Sequence, residues 1–471
     1  MTTGMQSRRR RLLVLAICCM SIFMVSLDNT IVNVALPSIR RALHASVSEL
    51  QWTVDAYTVV LAGLLLLSGS IADRIGRTRI FRIGLALFAA GSLLCSTAAG
   101  AGWLIGARML QAVGGSMLNP VAMSIIRNTF TDERERAQAI GVWGGVVGIS
   151  MALGPLLGGA LIAAAGWRAI FWVNVPVGLA AIVLVHRFVP ESRAPRPRRL
   201  DPVGQALVIL VLGSLTYAII EGAKAGWGSP WILACAGASL VAFAVLVPYE
   251  RRRADALIEP RFFRSAPFSG ATIVAVATFA ALGGFLFISS LYLQGDRGLT
   301  PVQTGLYTLP MAGCAFLAAP LSGRVVGRRG ARPSLVLGGL GLAVGSLMLT
   351  RLSATTPHWW LVIAYVAFGL GFGMVNPPIT NTAVSGMPPE QAGVAAAVAS
   401  TSRLVGMSLG VAIAGAVVVA AGASGHAFAQ ASHTAWWIIA GCALAVMAVG
   451  MASTSAWALR TARAVAVSSR V

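Results

Sequence analysis

The chain has 471 residues, of which 57% are hydrophobic and 11% charged, with a formal net charge of +21. A soluble protein of this length needs far more charge to cover its surface. A nucleic-acid binder is excluded too: the bases sit in short tracts between apolar runs, where anionic lipid headgroups account for them.

Apolar runs of about twenty residues recur along the chain, the length a helix needs to cross roughly 30 Å of hydrocarbon. They are continuous and not alternating, which selects helices over a closed barrel. The first run follows Arg8, Arg9, Arg10 and Arg11 and mimics a signal peptide, but it continues to Leu36, too long for a signal core. It is read as a retained span over 12–36, with Asp28 about eight residues, or ~12 Å of helix rise, from its far end. The other spans are predicted at 52–72, 80–99, 103–125, 137–162, 168–188, 203–221, 230–249, 267–293, 304–324, 333–351, 358–381, 391–420 and 434–458. Asp55 falls one turn into the second, Arg108 in the fourth and Arg403 in the thirteenth. Asn119 with Pro120, and Asn376 with Pro377, are expected to end the fourth and twelfth helices. The six cysteines lie in apolar runs without CxxC spacing, and the five histidines sit at span ends, so no disulfide frame, metal site or cofactor is expected.

Alternate loops test this topology. One set carries 28 of the 36 bases and the other six, with Arg108 and Arg403 inside spans. The positive-inside rule then places both termini in the cytoplasm of a cell-membrane protein. The chain also repeats weakly: Gly69, Arg74 and Gly76 recur as Gly323, Arg328 and Gly330 at a shift of 254. An all-α membrane fold follows, with a six-helix bundle over 1–189 and a linker with two inserted helices over 190–266. A second bundle over 267–460 and a tail over 461–471 complete it. Transporters are often built this way, with the substrate site between halves near the midplane.

Five segments carry a family resemblance. They are Leu27–Pro37 (LDNTIVNVALP), Gly69–Arg77 (GSIADRIGR), Arg108–Gly115 (RMLQAVGG), Gly148–Gly159 (GISMALGPLLGG) and Gly166–Gly178 (GWRAIFWVNVPVG). In this order and on these helices they resemble the major facilitator superfamily, specifically its fourteen-span drug:proton antiporters. The resemblance implies the fold, alternating access and proton-coupled export. It implies that Asp28 and Arg108 serve proton movement. It also implies that Asp73 forms a latch between the halves in the outward-facing state, with Gly69, Arg74, Gly76 and Arg77 around it and Arg127 and Arg136 as candidate partners. The second half departs from the pattern: Gly327 replaces the loop acid, and Leu404 and Met407 stand where the family has glutamine and glycine.

The residues themselves leave alternatives open. A charged aspartate deep in a span costs roughly 2.5–3.5 kcal/mol on insertion scales. Asp28 is therefore either a carboxyl that takes and releases a proton, which requires access to a water-filled vestibule, or half of a packing pair. Asp55 either shares that vestibule as a coupled second acid or is an interfacial acid favoured by the helix dipole. Arg108 demands an acidic or carbonyl partner, in a coupling role or a static pair, and Gln111 shares its face. Asp73 is a latch or part of a solvated loop. Gly148, Gly154, Pro155, Gly158 and Gly159 give a close-packed, kinked fifth helix, as a seal or as ordinary membrane packing. Asn33, Tyr57, Gln111, Trp143, Tyr292 and Met374 are cavity candidates, and Arg403 is a substrate, coupling or structural residue. The cavity is expected to carry little negative charge, which argues against a strict preference for multivalent cations.

The expected function is export of drugs, antibiotics or other small hydrophobic compounds in exchange for protons, by a monomer in a lipid bilayer. The alternatives are a dedicated exporter of one metabolite and a facilitator without proton coupling. A membrane enzyme would need a clustered nucleophile, metal ligands or a cofactor motif, and none is visible.

Overall fold

The computed structural model describes residues 8–193, 200–253, 259–385, 392–421 and 428–468. Fourteen helices are long and apolar enough to cross a membrane. They are α1 (Arg8–Leu43), α2 (Val47–Ile75), α3 (Arg77–Ser96), α4 (Ala101–Thr129), α5 (Glu133–Ala165), α6 (Ala169–Phe188, broken at Val173), α7 (Pro202–Ala225) and α8 (Pro230–Arg251). The second set is α9 (Ala266–Gly295), α10 (Pro301–Arg329), α11 (Ala331–Leu349), α12 (His358–Val384), α13 (Ala392–Ala420) and α14 (Phe428–Ser453). All fourteen expected spans are present, and the described residues contain no strand.

Several helix ends differ from expectation for local reasons. α2 starts at Val47 because Ser46 and Glu49 form a reciprocal capping box, a polar signal that hydropathy discards. α1 runs on to Leu43 through Pro37, Arg40 and Arg41, since bases suit the last turn of a helix. Asp28 therefore lies about 22 Å from that end, not 12, and Asp55 lies two turns inside α2, not at its surface. The asparagine–proline pairs do not end their helices: Pro120 and Pro377 both lie inside them. α14 stops at Ser453, and a separate helix α15 (Ala456–Ser468) follows, so the boundary expected at 460 falls within it. Its Trp457 and Leu459 are exposed while Ala458 is buried.

α1–α6 pack into one bundle and α9–α14 into another, while α7 lies against α2 and α13 and carries α8. The repeat is structural. The capping box at Ser46 and Glu49 recurs as Thr300 and Gln303, again 254 residues on. Gly76 and Gly330 hold the α2–α3 and α10–α11 junctions at φ +132° and +77°, a region that favours glycine. Beside the first junction, Glu191 accepts from the amides of Thr78 and Arg79 at 2.9 and 3.1 Å, so the start of the linker caps α3.

The bundles meet on the face opposite the arginine-rich loops. Ser290 donates to the Asn33 carbonyl at 2.5 Å, Gln294 to that of Val34 at 2.8 Å, and Gln51 to that of Ala412 at 2.8 Å. At Gly159 the backbone of α10 comes so near that an added Cβ would lie 2.8 Å from Val302 Cα. Toward the basic face the bundles separate. Gly159→Val is therefore expected to wedge the seal open. A cysteine placed at the buried Thr304, in a chain whose six cysteines are replaced, should then react several-fold faster with an impermeant maleimide applied opposite the basic face. Unchanged labelling would show that this contact does not hold the seal.

Candidate functional site

Asp28 is 1% exposed and is gripped from several helices. Arg108 on α4 donates from Nη1 to Asp28 Oδ2 at 2.5 Å. Gln111, one turn along the same face, donates from Nε2 to Asp28 Oδ1 at 2.8 Å and accepts from Arg108 at 2.7 Å. Gln111 also donates to Ser92 of α3 at 2.8 Å, and Asn174 of α6 reaches Asp28 at 3.4 Å. Arg108 Nε donates to the Thr53 carbonyl of α2 at 3.2 Å, and its guanidinium lies 4.0 Å over the Tyr57 ring. A buried ion pair is tolerated only when its remaining donors and acceptors are satisfied, and five helices do this here. Ser92, Asn174 and Thr53 escaped sequence reasoning because a sequence does not show which faces of separate helices meet.

The expected pairing of two acids is not found. Asp55 is fully buried on the other side of α2, with Ser408 of α13 as its polar neighbour. It belongs to the seam between the bundles. Asp73 pairs with Arg77 one turn on, at 2.8 Å, within its own bundle. Among the described residues no hydrogen bond or ion pair joins it to Arg127 or Arg136, and Arg11 pairs with Glu135. Gly69 faces Pro120 of α4. Residues 386–391, just before α13, lie outside those described.

A cavity of about 270 Å³ lies between the bundles and runs toward the basic face. α5 supplies Gly141, Gly144, Gly145, Gly148, Met151 and Pro155. α10 contributes Thr308, Met311 and Phe316, and α12 contributes Phe372 and Asn376. Thr30, two residues beyond Asp28, is the part of α1 that reaches it. No charged side chain lines it. Gly154 and Gly158 instead pack against Thr30 and Ile31 of α1.

Most of the aromatic candidates are elsewhere. Tyr57 lies under Arg108, and Tyr292 donates to the Ser353 carbonyl at 2.6 Å. Trp143 packs on the first bundle's core, and Asn33 donates to the Asn29 carbonyl. The Met374 carbonyl accepts from Ser322. Arg403 lies behind Asn376, donating to Thr380 Oγ1 at 2.5 Å. Asn376 entered the sequence reading only as half of an asparagine–proline pair, and the glycines and alanines of the wall carry no signal of a cavity.

The family model described as Major Facilitator Superfamily matches residues 18–411. The Multidrug resistance protein Stp of Mycobacterium tuberculosis is 35% identical over 415 residues, covering 88% of this chain and 76% of that protein. The Methylenomycin A resistance protein of Streptomyces coelicolor is 33% identical over 444 residues, covering 93% and 90%. The Tetracenomycin C resistance and export protein of Streptomyces glaucescens is 36% identical over 399 residues, covering 84% and 74%. Among solved structures, a peptide transporter POT in complex with sulfate superposes with a TM-score of 0.70 at 15% identity, covering 96% and 95%. A bacterial homologue of the human lysosomal transporter Spinster gives 0.64 at 17%, covering 97% and 98%. These two speak for the fold alone.

Arg108→Ala leaves Asp28 buried without its cation and is expected to cost about 3–5 kcal/mol of stability. Adding Asp28→Asn should recover much of that loss, measured as thermal unfolding of the purified chain. Additive losses would show that the two side chains are not energetically coupled.

Proposed function

As this chain belongs to the Major Facilitator Superfamily, we propose that it exports small apolar compounds, drugs or antibiotics among them, in exchange for protons. The names of its relatives, resistance and export proteins, support the export reading. The observation that carries it is an apolar cavity, open on one face and sealed on the other, beside a buried carboxylate–guanidinium pair.

The loop arginines orient the chain. With the basic face in the cytoplasm, both termini lie inside a cell membrane, and this conformation loads from the cytoplasm or the inner leaflet. The cavity wall supplies dispersion contacts and few directional ones, which suits small apolar molecules of varied shape. Alternating access then breaks the seal at Asn33, Gln51 and Gly159 and closes the opposite end. Asp73 leaves Arg77 in that second state and latches the bundles, which keeps it a gating residue.

Asp28 has no access to the cavity in this conformation, so proton uptake belongs to the outward-open one. There, water reaching the five-helix network lets a proton arrive at Asp28 and releases Arg108. On the return, the re-approach of Arg108 expels that proton toward the cytoplasmic side while water still reaches the network, and the pair re-forms as the network closes. Thr30 links the two events physically, because it lines the cavity on the same helix half a turn from Asp28. The chain acts as a monomer in this scheme.

Asp28→Asn keeps the shape of the side chain but removes the titrating group. In everted vesicles energised with an inside-acid gradient, it is expected to abolish substrate-induced proton release while leaving membrane insertion intact. A pH-sensitive dye and a panel of lipophilic cations and neutral antibiotics provide the readout. Proton release equal to the unaltered chain's would remove Asp28 from the coupling mechanism.

A further inference from the structure

The two bundles treat charge differently. The first holds Arg108 against Asp28. The six helices α9 to α14 contain no aspartate or glutamate, yet they carry Arg403 well inside α13. Its guanidinium donates to Thr380 Oγ1 at 2.5 Å and to the Asn376 carbonyl at 3.5 Å, and lies 5.8 Å over the Phe279 ring. Among the described residues it has no carboxylate within ion-pair distance, and its Nε has no acceptor. One neighbour, Asn376, lines the cavity, and another, Phe279, packs edge-on against Phe372, which also lines it.

An arginine held in an apolar membrane bundle without a counter-ion is an expensive arrangement, and such residues mark substrate or ion pathways. Neutral oxygens at Thr380 and Asn376 fix the guanidinium in place without cancelling its charge. A molecule entering the cavity therefore meets an apolar wall with one cation behind Asn376.

We infer that the cavity takes apolar molecules bearing one acidic group, a carboxylate or an acidic phenol, and that Arg403 supplies the counter-charge. A guanidinium matches such a group because it can donate two parallel hydrogen bonds to its oxygens. Recognition requires Asn376 or Phe372 to swing aside by one rotamer. The inference rests on the reading of this cavity as the substrate site of an exporter.

Three probes with one apolar body test it: pyrenebutyrate, its neutral amide, and pyrenebutyl-trimethylammonium. Binding to the purified full-length chain in nanodiscs is read by energy transfer from its twelve tryptophans. The acid should bind about tenfold more tightly than the ammonium probe. Arg403→Gln should erase that gap, and Arg403→Lys should keep most of it. Equal binding of acid and ammonium, tighter binding of ammonium, absence of binding by all three, or a gap that survives Arg403→Gln would each overturn the inference. If Arg403→Gln fails to give a single gel-filtration peak, the acid-to-ammonium ratio in the unaltered chain and in Arg403→Lys decides. Proton-driven uptake of the neutral amide into everted vesicles tests the exporter reading separately. Uptake without charge preference leaves that reading standing and removes this one, whereas charge-selective binding without uptake does the reverse.

Discussion

Two opposite charges buried at the middle of a helical bundle constrain the rest of this molecule. Removing Asp28 and Arg108 from water costs several kcal/mol each, and their attraction offsets this only with good geometry and satisfied neighbours. That demand explains why Gln111, Ser92, Asn174 and the Thr53 carbonyl converge on one point from separate helices. It also ties α1, α2, α3, α4 and α6 into one body. Side chains that serve this network, Tyr57 among them, are unavailable to the cavity. The first bundle is thus built around a charge pair, and the cavity lies against it, not within it.

The network and the cavity differ in how visible they are in the sequence. Fourteen spans, the alternating basic loops and the 254-residue repeat are long-range patterns, and the structure contains the helices they describe. Asp28 and Arg108 stand out because a lone charge in an apolar run has few explanations. Gln111 follows from helical spacing. Beyond that the sequence fails for a physical reason: it fixes the position of a residue along its own helix but not the angle between helices. Asp55 shows this well. It is close to Asp28 in height, yet it faces α13, away from the pair. The cavity fails for the opposite reason. Half of its wall is glycine, alanine and leucine, which are ordinary in any membrane helix, while the conspicuous tyrosines fill packing and capping roles. Helix ends were missed where a capping box or terminal arginines extended a helix past its apolar core.

The two halves preserve their mechanics and diverge in their chemistry. Both begin their second helix with a capping box and join it to the third through a glycine at positive φ. These features set the geometry of one helical hairpin in each half. The charges do not repeat. Asp28 has no counterpart in the second bundle, Asp73 is matched by Gly327, and Arg403 has no acid among its own six helices. The charge pair is thereby confined to the first bundle and set apart from the cavity, which both bundles line.

That separation raises the question of what couples them, and magnitudes narrow the answer. One charge moving through about 100 mV gains roughly 2.3 kcal/mol. Separating a buried pair by removing one partner costs about 3–5 kcal/mol. The membrane potential alone is therefore too weak to break Asp28 from Arg108 inside a dry bundle. The pair can open only where something else solvates the freed guanidinium. In the conformation described here both side chains are about 1% exposed, and the bundles are in contact at Asn33, Gln51 and Gly159. In the proposed cycle, breaking that seal would admit water, lower the cost of separating the charges, and let a proton arrive at Asp28 in the same movement. Protonation would then be tied to the state of the seal, with no need for the exported molecule to touch the acid.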